Sequence, residues 1–265
     1  MLRVVLLSIF AFGIISCQQK ISHVNTIYSE KVKDSFEIYI SVPPSSDTNT
    51  IYDVIYYCDA NLRSGNLMRE MSTRDKYAAK LKNTIFVGIG HVGDYHVLRR
   101  RDFILPSIND GDTSGRSGKY GQTENFYQFL KTELIPLINS RYKTTAGSNS
   151  IIGHSLGGLF VFYCLFKNDS LFSNYYSLSP SLWIDHYSIY KFNRLKDGIM
   201  LPKNLYFSAG SLELLNRIKN GTNEMEKFLQ TENYRNLKYA YDVHKGKNHN
   251  SQVEQSLDHI FMNRH

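Results

Sequence analysis

The chain has 265 residues, with 31 Lys and Arg against 24 Asp and Glu, for a formal net charge of +7. Its 42% hydrophobic content is that of a folded protein and excludes a disordered chain; the length suits one large α/β domain behind an N-terminal signal. The positive charge is spread along the sequence apart from Arg99-Arg100-Arg101, and no nucleic-acid recognition motif accompanies it, so nothing points to a nucleic-acid partner.

Residues 1–17 carry Arg3, then an apolar run from Val4 to Phe12, then Ile14-Ile15-Ser16-Cys17. A positive start, an apolar stretch too short to span a bilayer and small residues near its end describe an export signal. The ending resembles a bacterial lipobox with Cys17 as lipid acceptor. The expected layout is a signal over 1–17, a polar tether over 18–23 and a single domain over 24–265. The mature chain would be a lipoprotein anchored through Cys17, facing the periplasm or the cell surface. An ordinary cleaved secretory signal is the alternative.

Residues 36–42 alternate apolar and polar, a half-buried strand, and 24–32 is placed to pair with it across Lys33-Asp34. Residues 52–58 and 85–90 are continuous apolar runs and predict buried strands. Residues 107–122, with Gly111, Gly115, Gly118 and Gly121, are too long for a simple connector and read as an active-site loop or mobile segment. Apolar positions at helical spacing predict a helix over 124–141, kinked at Pro136 unless it restarts there. A short strand over 150–152, a buried helix over 158–166, strands over 174–178 and 204–209, a helix over 222–229, a strand over 237–243 and a helix over 253–262 follow. This alternation predicts an α/β class chain with a mostly parallel central sheet and helices on both faces. Cys58 and Cys164 fall in a strand and a helix and read as buried free thiols, with a disulfide between them as the alternative.

Gly153-His154-Ser155-Leu156-Gly157 lies between a strand and a helix. A G-x-S-x-G there is a nucleophile elbow, which lifts the Ser155 hydroxyl to the N-terminus of a helix. A serine hydroxyl is a weak nucleophile and needs a base and a group to hold that base. On α/β-hydrolases these follow in the order serine, acid, histidine. His249, in the polar loop after the last strand, is the expected base, with His244 as runner-up. His23, His96, His186, His259 and His265 read as surface histidines, and His91 is left without a role. Glu213, after the 204–209 strand, is the expected acid; Asp185 and Asp242 are its rivals. The oxyanion of the tetrahedral intermediate needs two amide donors: Leu156 N–H, and Ala60 N–H in the loop after the 52–58 strand.

Taken with Tyr52 to Ala60, Val87-Gly88-Ile89-Gly90, Arg99-Arg100-Arg101-Asp102-Phe103, Phe129 to Pro136, Ser179-Pro180-Ser181-Leu182-Trp183 and Asn248-His249-Asn250-Ser251, the elbow is part of a wider pattern. From about Phe36 on, the chain resembles the putative-esterase branch of the α/β-hydrolase superfamily, which includes siderophore esterases and relatives of S-formylglutathione hydrolase. The resemblance implies an α/β-hydrolase fold, a Ser155/His249 pair, a Leu156/Ala60 oxyanion hole and ester hydrolysis without cofactor or metal. Ala60 stands where the family usually has glycine. In siderophore esterases an arginine of the matching segment contacts the anionic ligand, which makes Arg99 and Arg101 expected substrate contacts; Trp183 is a third. The expected activity is serine carboxylic-ester hydrolysis of a small ester, of anionic siderophore type or another. The alternatives are an acetyl or feruloyl esterase of polysaccharide decoration, and a non-catalytic binding lipoprotein on the same fold.

Overall fold

The computed structural model describes residues 20–44, 49–106, 120–213 and 216–263. The signal over 1–17 and nearly all of the 107–122 loop lie outside these residues.

Eight strands form one sheet: β1 (Lys20–Ser29), β2 (Asp34–Val42), β3 (Asp53–Cys58), β4 (Thr84–His91), β5 (Ser150–His154), β6 (Asn174–Leu178), β7 (Lys203–Gly210) and β8 (Leu237–His244). Their order is β1-β2-β4-β3-β5-β6-β7-β8. β1 pairs antiparallel with β2 across the turn at Lys33, and β2 antiparallel with β4; every later pairing is parallel. β1 already starts at Lys20, inside the stretch expected to be tether.

The central parallel strands β3 and β4 are apolar on both faces because both are covered. Along β3, Val54, Tyr56 and Cys58 pack into one cluster, while Ile55 and Tyr57 pack into the other. Period-two alternation thus sends successive side chains to opposite layers. The first layer holds α3 (Tyr95–Phe103), α4 (Thr123–Phe129), α5 (Ile135–Arg141), α6 (Leu156–Phe166) and α7 (Arg217–Glu232). The second holds α1 (Arg63–Ser72), α2 (Ala78–Leu81) and α8 (Gln252–Met262). All eleven residues of α6 are buried, which explains its lack of any polar stripe.

The expected helix over 124–141 is built as α4, a π-helical turn over Leu130–Leu134, and α5 with Pro136 in its first turn. Pro136 cannot donate to the carbonyl four residues back, and the wider turn directly before it accommodates the missing bond. Cys58 and Cys164 are free and buried, and burial pushes both thiols well up, away from thiolate chemistry. Among the described residues no helix is long and apolar enough to cross a membrane.

Candidate active site

β5 ends at His154 and α6 begins at Leu156, so Ser155 makes the whole turn at φ 61° and ψ −115°. A non-glycine residue is strained there, and the surroundings hold it. Ser155 N–H donates to the Leu178 carbonyl at 2.9 Å, and Ser155 O accepts from Leu159 N–H at 3.1 Å and Ser181 N–H at 3.0 Å. The turn closes so tightly that a Cβ on Gly153 would stand 2.1 Å from the Gly157 carbonyl oxygen.

Glu213 lies just past β7 with its side chain 1% exposed. Its Oε1 accepts from Ser179 Oγ at 2.5 Å and from Gly210 N–H at 2.9 Å, and its Oε2 lies 3.0 Å from His249 Nδ1. Burial pushes this carboxyl up, but the bonds from His249, Ser179 and Gly210 outweigh burial and hold it below its ordinary value. An ionised carboxylate accepts from His249 Nδ1–H and leaves Nε2 as the free, proton-accepting nitrogen. A close approach makes this pairing possible: a Cβ on Gly210 would lie 2.2 Å from the Lys247 carbonyl, so only glycine lets the His249 loop come down on the end of β7. Ser155 Oγ is 3.3 Å from Ser181 Oγ and has no hydrogen bond to His249 among the described residues. Such bonds commonly tighten only when substrate is bound.

His154, between the two motif residues Gly153 and Ser155, was given no role by sequence. Its Nε2–H donates to the His249 carbonyl at 2.9 Å and its ring packs 4.5 Å from the His249 ring. Burial first, then the neighbouring imidazole, lowers it to about 4. The folded state therefore keeps His154 neutral while the unfolded chain takes up a proton below about pH 6.5. Stability should fall as pH drops from about 6.5 to about 4, by on the order of 2–3 kcal/mol from this residue, and no further below. Glu213 adds a loss of the same sign at lower pH. Urea midpoints at pH 7, 5.5 and 4 test this: His154→Gln should flatten the upper part of the slope, and an unchanged slope would assign it elsewhere.

A cleft of about 940 Å³ opens over Ser155 and Leu156, walled by α3, the segment after β6 and the start of α7. Trp183 lines it, and Arg217 stacks over the Trp183 ring at 5.1 Å. Arg99 also lines it, but its guanidinium is locked to buried Asp59, Nε to Oδ1 at 3.0 Å and Nη2 to Oδ2 at 2.7 Å. Arg101 is not in the cleft: it bridges Asp34 at 2.6 Å and Asp102 at 2.7 Å, while Asp102 also meets buried His91 at 3.0 Å. The expectation of a substrate contact at Arg101 is therefore corrected; helical spacing turns it away from the wall on which Arg100 stands. Arg100 and Arg217 do line the cleft, and neither forms an ion pair among the described residues. His96 and His186, read as surface histidines, line it too.

A second correction concerns Ala60. Its N–H already donates to the Ile89 carbonyl at 3.0 Å, so it cannot serve an oxyanion. Leu62 N–H closes a turn on the Asp59 carbonyl at 2.9 Å, which leaves Asn61 N–H without an acceptor among the described residues. The runner-up base His244 is tied to Ser256 Oγ at 2.9 Å and burial lowers it; the rival acid Asp242 meets Tyr206 and His259. The other rival acid, Asp185, stands in the cleft wall in left-handed backbone.

The sheet order, with the elbow at the carboxyl end of a central strand, makes the chain an α/β-hydrolase. It belongs to the esterase family described as Putative esterase, whose profile matches residues 29–258, and it is an esterase. Ferri-bacillibactin esterase BesA of Bacillus subtilis is 28% identical over 217 residues, 77% of this chain and 75% of that protein. The crystal structure of BES protein from Bacillus cereus is 27% identical, with a TM-score of 0.78 over 92% of this chain and 97% of that one. An IroE-like serine hydrolase from Shewanella oneidensis shares the fold at 24% identity, with a TM-score of 0.74 over 90% of this chain and 78% of that one.

Proposed function

We propose that this esterase works through a Ser155 acyl-enzyme on an anionic, siderophore-type ester. The observations that carry the mechanism are the triply bonded, ionised Glu213 holding His249 Nδ1 and a serine in elbow geometry at the end of β5. Ser155 Oγ attacks the ester carbonyl as His249 Nε2 takes its proton. Leu156 N–H, with Asn61 N–H in place of Ala60, stabilises the oxyanion. The imidazolium returns the proton to the leaving alkoxide, and water, activated by the same imidazole, then releases the acid and frees Ser155.

The substrate class rests on the cleft cations. Arg100 and Arg217 line it without carboxylate partners among the described residues, and Trp183 offers a flat apolar face beneath Arg217. An anionic aromatic ester such as a catecholate engages both features, whereas a neutral sugar ester leaves the cations unused. The names of BesA and the apo-salmochelin esterase of Escherichia coli, 26% identical over 153 residues, are in keeping with this. A charge-assisted contact contributes about 1.5–3 kcal/mol. Arg100→Ala and Arg217→Ala should therefore each lower kcat/KM for an iron-loaded catecholate trilactone by roughly 10- to 100-fold, with little change on a neutral p-nitrophenyl ester. Equal losses on both esters would overturn the anionic reading and leave the serine mechanism standing. Export as a Cys17-anchored lipoprotein belongs to the same proposal, supported by the apolar leader and lipobox-like end; mass spectrometry of the membrane-extracted chain, showing a diacylglyceryl group on Cys17, is its test.

A further inference from the structure

The carbonyl of Ala60 and the N–H of Asn61 belong to one peptide unit. That unit is trans, so its N–H and C=O point in opposite directions. The Ala60 carbonyl is turned outward to α1, where it accepts a hydrogen bond from Arg69 Nη1. The other end of the guanidinium, Nη2, donates to Asn66 Oδ1, and its carbon lies 4.5 Å from the centre of the Tyr39 ring. The fork is thus fixed at both terminal nitrogens and on one face.

The loop that carries this peptide packs on the nucleophile's helix. Cys58 Cβ and Asp59 Oδ2 lie 3.1 and 3.4 Å from where a Cβ on Gly157 would stand, in the first turn of α6 beside Leu156. Asp59 is itself left-handed at φ 58°, a sparsely populated conformation that outside contacts help to hold. A flipped Ala60–Asn61 peptide would present a carbonyl oxygen where the intermediate needs a donor.

We infer that Arg69 is a positioning residue for catalysis: its guanidinium holds the Ala60–Asn61 peptide with Asn61 N–H toward the Ser155 oxyanion and polarises that peptide. A cation on the carbonyl oxygen draws electrons from the shared amide and makes its N–H a stronger donor. Arg69 acts through the peptide and has no contact with Ser155. The inference rests on the serine mechanism proposed above.

The test compares wild type, Arg69→Met and Arg69→Lys on p-nitrophenyl butyrate, with each rate divided by the sites counted with a fluorophosphonate. Arg69→Met should lower kcat roughly 10- to 100-fold with KM within about twofold. It should weaken binding of phenylboronic acid, whose serine adduct is a tetrahedral anion, by the same factor as kcat/KM. Arg69→Lys keeps the charge but cannot hold the carbonyl and Asn66 together, and should fall between the two. A residue that only stabilised the fold would lower the thermal midpoint and leave rate per site and boronate affinity alone. That result overturns the inference, as does a fall in kcat with unchanged boronate affinity. If Arg69→Met fails to fold, Arg69→Lys carries the same comparison, and wild-type values in both measurements overturn it. Stoichiometric labelling of Ser155 in the wild type tests the serine mechanism separately, so failure there is distinguishable from failure of Arg69.

Discussion

Ser155→Ala is expected to lower kcat on a short p-nitrophenyl ester by on the order of 10⁴ or more, with an unchanged thermal midpoint. Alanine removes the nucleophile yet keeps the strained turn, because that turn is held by backbone bonds from Ser155 to Leu178, Leu159 and Ser181 and not by the hydroxyl. Only the oxyanion donors and substrate binding remain to accelerate attack by water. His249→Ala should be as damaging, and the double variant no worse than either single one, because nucleophile and base act as a unit. His244→Ala should be mild, since that ring is occupied by Ser256 and lies against Tyr206. A Ser155→Ala enzyme with more than about a tenth of wild-type turnover would sink the mechanism, and a His244→Ala loss exceeding that of His249→Ala would move the base.

Gly153→Ala should have the largest effect on folding. The added methyl would sit 2.1 Å from the Gly157 oxygen, 2.3 Å from its carbonyl carbon and 2.9 Å from Gly158 N. All three atoms are backbone of α6, which is buried along its whole length, so no side chain can swing away. Overpacking of a core typically costs about 1–3 kcal/mol and occasionally more, and a clash with backbone alone belongs at the upper end. A mostly insoluble product, or a folded one with a greatly lowered urea midpoint, is the expected outcome. A soluble variant within about 1 kcal/mol of wild type would mean that the elbow opens more easily than this geometry allows.

What sequence could show followed the range of the forces involved. The buried strands β3 and β4 and the buried helix α6 were legible because each is apolar along its length, and β2 because it alternates. Ser155, Glu213 and His249 were legible as candidates because strand ends locate loops, and the structure brings Glu213 and His249 within hydrogen-bond distance. Helix α3 was missed: it carries three consecutive arginines and a weak apolar stripe, although Asp94, which caps it by accepting from His96 and Val97 N–H, was a readable start signal. Helix α7 starts at Arg217, five residues before the 222 expected from sequence, and Arg217 in its first turn lines the cleft without having been singled out. The three left-handed residues Asp185, His186 and Tyr187 carry no glycine or asparagine to announce them, so the turn that sets His186 into the wall had no local signal. Ala60 was assigned by position along the loop; which amide is free depends on the Ile89 carbonyl of the neighbouring strand, a contact between distant parts of the sequence.

The complete burial of α6 divides the molecule into two zones that tolerate change very differently. The proposed nucleophile stands directly before an element with no exposed side chain, so nearly any substitution there meets a packed neighbour. The cleft wall is instead contributed by α3, the turn at 184–187 and the start of α7, which cover the sheet without forming it. Such segments can be exchanged, lengthened or recharged while the elbow stays as it is. Divergence toward new esters should therefore leave its record in the wall, and a library aimed at altered substrate range should randomise Arg100, Trp183, His186 and Arg217 while leaving residues 150–166 untouched.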